Sequence, residues 1–164
     1  MTSTHTTGLP PLTHAQRDVV LADARHLLVG AGAGSGKTST IVQKLCYLLG
    51  GVVRDIDGAT YSHPSPLALS DIAAITFTNE AAADLKRKLR SALAASGLRH
   101  LATDVDAARI GTIHGFCGDL LRDHALRAGL PPSLHVLHEG EATALASECA
   151  RLAVQHAVQH AVQQ

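Results

Sequence analysis

The tightest constraint on this chain is a single run, Ala31-Gly32-Ala33-Gly34-Ser35-Gly36-Lys37-Thr38. Its spacing is that of a phosphate-binding loop with Ala where the leading Gly often stands. Such a loop works only between a strand and a helix. The small residues let backbone wrap close around phosphates, and successive N–H groups together with the positive helix end face the anion. The flanks offer both elements. His26-Leu27-Leu28-Val29 is an apolar run too brief for a helix and reads as a buried strand. Beyond Gly36, Ile41, Leu45, Leu48 and Leu49 fall at i, i+4, i+7 and i+8, a helical stripe that Gly50-Gly51 ends.

Within that unit Lys37 directs a point charge toward the β and γ phosphates, and the Thr38 hydroxyl is placed to ligate Mg2+. Lys37 and Thr38 are therefore the catalytic candidates, with Thr38 the metal ligand. Ala31, Gly32, Ala33, Gly34, Ser35, Gly36, Lys37, Thr38 and the adjoining Ser39 are the cofactor-binding candidates. The Lys-Thr pair favours a triphosphate, ATP, over a dinucleotide.

The strand-then-helix pattern recurs twice. Ile72 to Phe77 reads as a buried strand, followed by Asn79 as N-cap of a helix carrying Ala82, Leu85, Leu89 and Leu93. Arg109 to Ile113 reads as a third strand, followed by a helix with Phe116, Leu120, Leu121 and Ala125 that stops by Gly129-Leu130-Pro131-Pro132. Alternation of this kind predicts an α/β fold, a parallel sheet with helices on both faces. Residues 50–70, broken by Gly58, Pro64 and Pro66, read as a long surface connection. The expected organisation is a loose N-terminus over 1–11, an α/β domain over 12–132 and a helical segment over 133–164. In that last segment Val154, Val158 and Val162 form an apolar stripe that wants a partner. His156 and His160 lack a third ligand, so tail composition rather than a metal accounts for them.

Composition narrows the partners. With 46% apolar and 17% charged residues and 14 basic against 14 acidic side chains, the chain is neither a disordered tail nor a basic coat, and any DNA contact must be local. Two Phe, two Tyr and no Trp throw the weight of base stacking onto single rings, Phe77 and Phe116. Cys46, Cys117 and Cys149 form no paired motif and read as buried thiols of a reduced cytoplasmic protein. No signal peptide and no membrane-spanning run is expected.

Four further motifs carry a family resemblance. Leu12-Thr13-His14-Ala15-Gln16-Arg17 precedes the loop. Ile75-Thr76-Phe77-Thr78-Asn79-Glu80-Ala81-Ala82 spans a strand end and a helix start. Gly111-Thr112-Ile113-His114-Gly115-Phe116-Cys117 spans another, and Val136 to Ala142 follows the prolines. With the phosphate loop, the chain resembles the UvrD, Rep, RecB and AddA group of superfamily 1 helicases from Leu12 to about Ala142, the last motif tilting toward AddA or RecB. The resemblance implies a partial P-loop NTPase fold of the RecA-like type, with the C-terminal helix opening an inserted helical subdomain. It implies that Gln16 reads adenine and that Phe77, Thr78, Asn79, Thr112, His114 and Phe116 meet single-stranded DNA during repair or recombination. Where the family has Lys, this chain has Glu80, which should repel a DNA backbone. Lys86, Arg87, Lys88, Arg90 and Arg99 nearby read as a solvated helix face that could guide DNA.

The family also uses an Asp-Glu strand end and a second motor domain with arginine fingers. No Asp-Glu pair occurs in these residues. The leading expectation is the ATP-binding N-terminal part of a DNA helicase whose further parts or partner subunit complete it. The alternative is a stand-alone ATP-binding or helicase-docking module. A small P-loop kinase is disfavoured, because neither an acceptor site nor a lid is evident.

Overall fold

The structure, a computed structural model, describes residues 8–131, 133 and 137–162, with residues 160–162 as backbone only. The expectation of looseness over residues 1–7, the motif residue Val136 and the side chains of His160 and Val162 lie outside the described residues. Two compact units, Met1–Phe116 and Cys117–Gln164, divide the chain.

The first unit opens with α1 (His14–Leu21). Thr13 is its N-cap, and the Thr13 and Gln16 side chains each bond the other's backbone N–H, a reciprocal cap legible from their i, i+3 spacing. Helix α2 (Lys37–Leu48) follows the phosphate loop. Then come β1 (Val53–Arg54) and β2 (Thr60–Tyr61), paired antiparallel, in the stretch expected to be plain connection. Strands of two residues show no period, which is why they escape a pattern reading. Leu12 bridges Asp55 in parallel: its N–H donates to the Arg54 carbonyl at 2.8 Å and its carbonyl accepts from Ile56 at 2.9 Å. The entry to α1 is thereby sewn to β1.

β3 (Ala73–Thr76) and β4 (Arg109–Thr112) pair in parallel with Thr76 opposite Thr112. Between them lie α3 (Asn79–Ala95), α4 (Arg99–Asp104) and a 3-10 turn at Val105–Ala107. Thr78, not Asn79, caps α3: its backbone is extended and its hydroxyl accepts from Ala81 N–H at 3.1 Å. Either residue type suits an N-cap, so the pattern could not separate neighbours.

The expected strand at residues 26–29 does not form. Leu28 is 98% exposed, with Leu27 and Val29 near half exposed. A strand is defined by ladder partners, and among the described residues β3 and β4 are each other's only parallel partners. The sheet here is two strands rather than three.

The main core joins Val42, Cys46 and Leu49 of α2 to Leu85, Leu89 and Leu93 of α3 and Ile110 of β4. Fully burying a side chain such as Leu89 contributes about 1.5–3 kcal/mol. Gly51 is required here, since a Cβ would lie 2.4 Å from the Cys46 sulfur. A second core of Leu12, Val20 and Val53 holds α1 against α2 and β1, with Leu21, Tyr47 and Tyr61 at its rim. Cys46 is buried as expected, but Cys117 and Cys149 are exposed, which corrects the reading of all three as buried thiols. Each falls on an exposed position of a helix, which a thiol's small apolar character does not reveal.

The second unit holds the rest of α5 (Ile113–Asp123), a 3-10 turn at Ala125–Ala128 closed by Gly129, and α6 (Glu139–Val162). On α6, Leu145, Leu152, Val154 and Val158 are all more than half exposed. No described helix is long and apolar enough to cross a membrane.

Candidate functional site

Gly34 and Gly36 take positive φ of 76° and 80°, conformations an L side chain would resist, and these turns fold the loop back over the start of α2. A Cβ added at Gly32 or Gly34 would meet nothing within 4 Å, so the loop faces open space. Gly36 is the N-cap, one residue ahead of the first helical residue Lys37, and offers no side-chain cap to the first-turn N–H groups. Those donors and the helix dipole point toward whatever occupies the loop. Lys37 Nζ donates to the carbonyls of Ala31 at 3.1 Å and Gly32 at 2.6 Å, and Ser35 Oγ donates to Gly32 O at 2.8 Å. Thr38 is exposed and Ser39 half-buried in the first turn of α2, while the Thr40 hydroxyl donates to Gly36 O.

Gln16 reaches the same loop. Its Nε2 donates to the Ser35 carbonyl at 3.2 Å, while its Oε1 accepts from Thr13 N–H at 3.0 Å. A carboxamide has two donors and a two-lone-pair acceptor, so one N–H and one lone pair stay available after these bonds. A cavity of about 640 Å³ opens between α1, α2 and residues 27–31, bordered by Gln16, Val19, Ile41 and Lys37.

The seat of α1 is a hub that sequence reasoning missed. Asp55, 2% exposed, accepts from the N–H groups of Asp57 and Ala59 and from the Tyr61 hydroxyl at 2.8 Å, with Arg17 of α1 at 3.6 Å. Burial pushes its carboxyl up, but the Tyr61 hydroxyl, the two N–H groups and Arg17 outweigh it and hold the pKa below the ordinary carboxylate range. His14 of α1 adds a bond to Asp57 at 2.8 Å. The only local signal was Arg54-Asp55-Ile56-Asp57-Gly58, which reads as a turn.

The DNA candidates share one edge. Because β3 and β4 are parallel and in register, their C-terminal ends lie side by side, and each runs into a helix, α3 or α5, within three residues. Carboxyl ends of parallel strands are where α/β folds place ligands. Phe77 is 94% exposed and Thr78 and Asn79 are exposed. Across from them the Thr112 hydroxyl accepts from Gly115 N–H at 3.2 Å, His114 is exposed and Phe116 half-buried. Glu80 sits in the first turn of α3, where its own backbone N–H and the Thr78 hydroxyl lower its pKa. The basic run is largely paired: Arg87 and Lys88 both bond Asp84, and Arg90 bonds Asp106 at 2.7 Å. No group of His, Cys, Asp and Glu able to hold a metal occurs among the described residues.

Comparison with known proteins adds an independent line. The sequence profile of the UvrD/REP helicase N-terminal domain matches residues 12–164. The chain is 32% identical over 138 residues to an ATP-dependent helicase/nuclease of Pelotomaculum thermopropionicum, covering 79% of this chain and 10% of that protein. It is 33% identical over 129 residues to DNA helicase II of Escherichia coli, covering 79% of this chain and 15% of that protein. The chain thus spans a small fraction of the length of these relatives.

Proposed function

The chain belongs to the UvrD/REP helicase N-terminal domain family, and from that premise we propose that it is the ATP-binding front of a cytoplasmic ATP-dependent DNA helicase acting on single-stranded DNA in repair or recombination. The observation that carries this reading is the open loop over Gly32 and Gly34, with Lys37 beside it and uncapped N–H groups at the start of α2. That arrangement suits a triphosphate. Thr38 would hold Mg2+, which when bound neutralises phosphate charge. The RecA-like parallel sheet of the complete domain is part of the same proposal, with β3 and β4 as two of its strands.

Gln16 supplies the base preference. The N–H and the lone pair left after its cap and its Ser35 bond match the N7 acceptor and N6 amino donor of adenine, whereas guanine presents two acceptors at the same edge. On the far side, Phe77, Thr78, Asn79, Thr112, His114 and Phe116 form the strand-end surface for single-stranded DNA, a ring for a base and uncharged donors for phosphates. Translocation requires the complete protein or a partner subunit, because an arginine from a second motor domain is worth about 10³–10⁵ in rate in related phosphoryl-transfer enzymes.

The test is ATP hydrolysis by the complete protein with and without single-stranded DNA. Hydrolysis stimulated by DNA and lost in Lys37→Ala is expected. Hydrolysis indifferent to DNA would leave an ATP-binding or docking module instead.

A further inference from the structure

Lys44 stands on α2 two turns after Lys37, on the face toward α1. Its Nζ donates to the carbonyls of Val20 at 2.9 Å and Ala22 at 2.6 Å, the last residues and C-cap of α1. The last carbonyls of a helix have no intrahelical donors, and α1 carries no basic residue in its own last turn. The cation that closes α1 therefore comes from the phosphate helix. Burial pushes the Lys44 pKa down, Asp23 opposing, so this ammonium is held where an apolar side chain would be cheaper to keep.

Two rungs thus join the helices. At one end of α1, Gln16 bonds the Ser35 carbonyl of the loop. At the other, Lys44 bonds Val20 and Ala22. Removing the second rung leaves the Val20 core contact to hold the fold but frees α1 to tilt about its N-terminal anchor at Asp55, carrying the Gln16 amide with it.

We infer that Lys44 is a positioning residue for base recognition: by capping α1 from α2 it fixes the Gln16 amide at a set distance from the phosphate loop, so that base and triphosphate are read together. This rests on Gln16 being the adenine reader, and the experiment separates the two ideas. Calorimetry on the 164-residue chain compares magnesium-ATP with magnesium-tripolyphosphate, which has the phosphates and no base. The wild type should prefer ATP. In Lys44→Met the ATP dissociation constant should rise about tenfold, the order expected when two base hydrogen bonds lose alignment, with tripolyphosphate unchanged. Lys44→Arg, which keeps a cation on the same carbonyls, should restore the preference.

A wild type that binds both ligands equally removes the base-reading premise and the inference with it. A wild type that prefers ATP beside a Lys44→Met that keeps the preference overturns the inference alone. Equal weakening of both ligands does so too, because it marks a merely structural lysine. Should Lys44→Met lose its helical circular dichroism, Lys44→Gln, with a single neutral amide donor, carries the same comparison, and retention of the full ATP preference there overturns the inference.

Discussion

Lys37 is bonded to carbonyls of its own loop when no ligand is present, so its removal leaves no buried charge and no broken core contact. Lys37→Ala is expected to keep the circular dichroism of the wild type while lowering magnesium-ATP affinity about 10- to 150-fold, from the ~1.5–3 kcal/mol that hydrogen bonds to charged groups contribute. Calorimetry showing equal affinity would remove the nucleotide assignment. Asp55 behaves differently. Its folded pKa lies below the unfolded value of about 3.9, so its stabilisation is complete above that pH and is lost as pH falls through the folded value. Asp55→Asn should melt lower at neutral pH and show a flatter acid limb in Tm against pH, and an unaltered acid limb would deny Asp55 that role. These two residues also mark what the sequence could yield. The loop and the Thr13–Gln16 cap were legible because their partners lie within a few positions. Asp55 was not, because its partners are Tyr61 beyond a turn and Arg17 on a distant helix.

At the scale of elements, the start of α3 shows how one side chain can invert a site. A helix N-terminus facing a strand-end groove attracts phosphate, but Glu80 already places an ionised carboxylate in that first turn, kept ionised by its own N–H and the Thr78 hydroxyl. Glu80→Lys should tighten single-stranded DNA binding and steepen the salt dependence by about 0.7 in log K per log salt, the slope of one added phosphate contact on a single strand. Identical salt slopes for both proteins would place α3 away from DNA. The strands themselves were legible where a neighbour exists to pair with them: β3 and β4 fall where alternating apolar runs put them. Leu27, Leu28 and Val29 carry the same apolar signal yet stay unpaired and exposed, because strand formation depends on neighbours that no local pattern contains.

For the molecule as a whole, those side chains together with Ile75, Phe77 and Ile113 leave apolar surface beside two unpaired sheet edges. Such surface invites association. The 164-residue chain should therefore bind an apolar dye and show concentration-dependent size by light scattering, and a strictly monomeric, dye-silent chain would contradict this. Its chemistry should also come apart: it carries the phosphate cradle but no Asp-Glu pair, so it is expected to bind ATP weakly without turning it over. DNA-stimulated hydrolysis by this chain alone would overturn that expectation.

The pairing of Leu12 with Asp55 has a bearing on timing during synthesis. α1 is translated before the phosphate loop, yet its seat at Asp55 and Tyr61 is translated after α2. With elongation at roughly 5–20 residues per second, α1 waits seconds on the ribosome for the strand that anchors it, while the loop and α2 need only local contacts. Nascent chains arrested before Asp55 would then hold phosphate before they could tell one base from another.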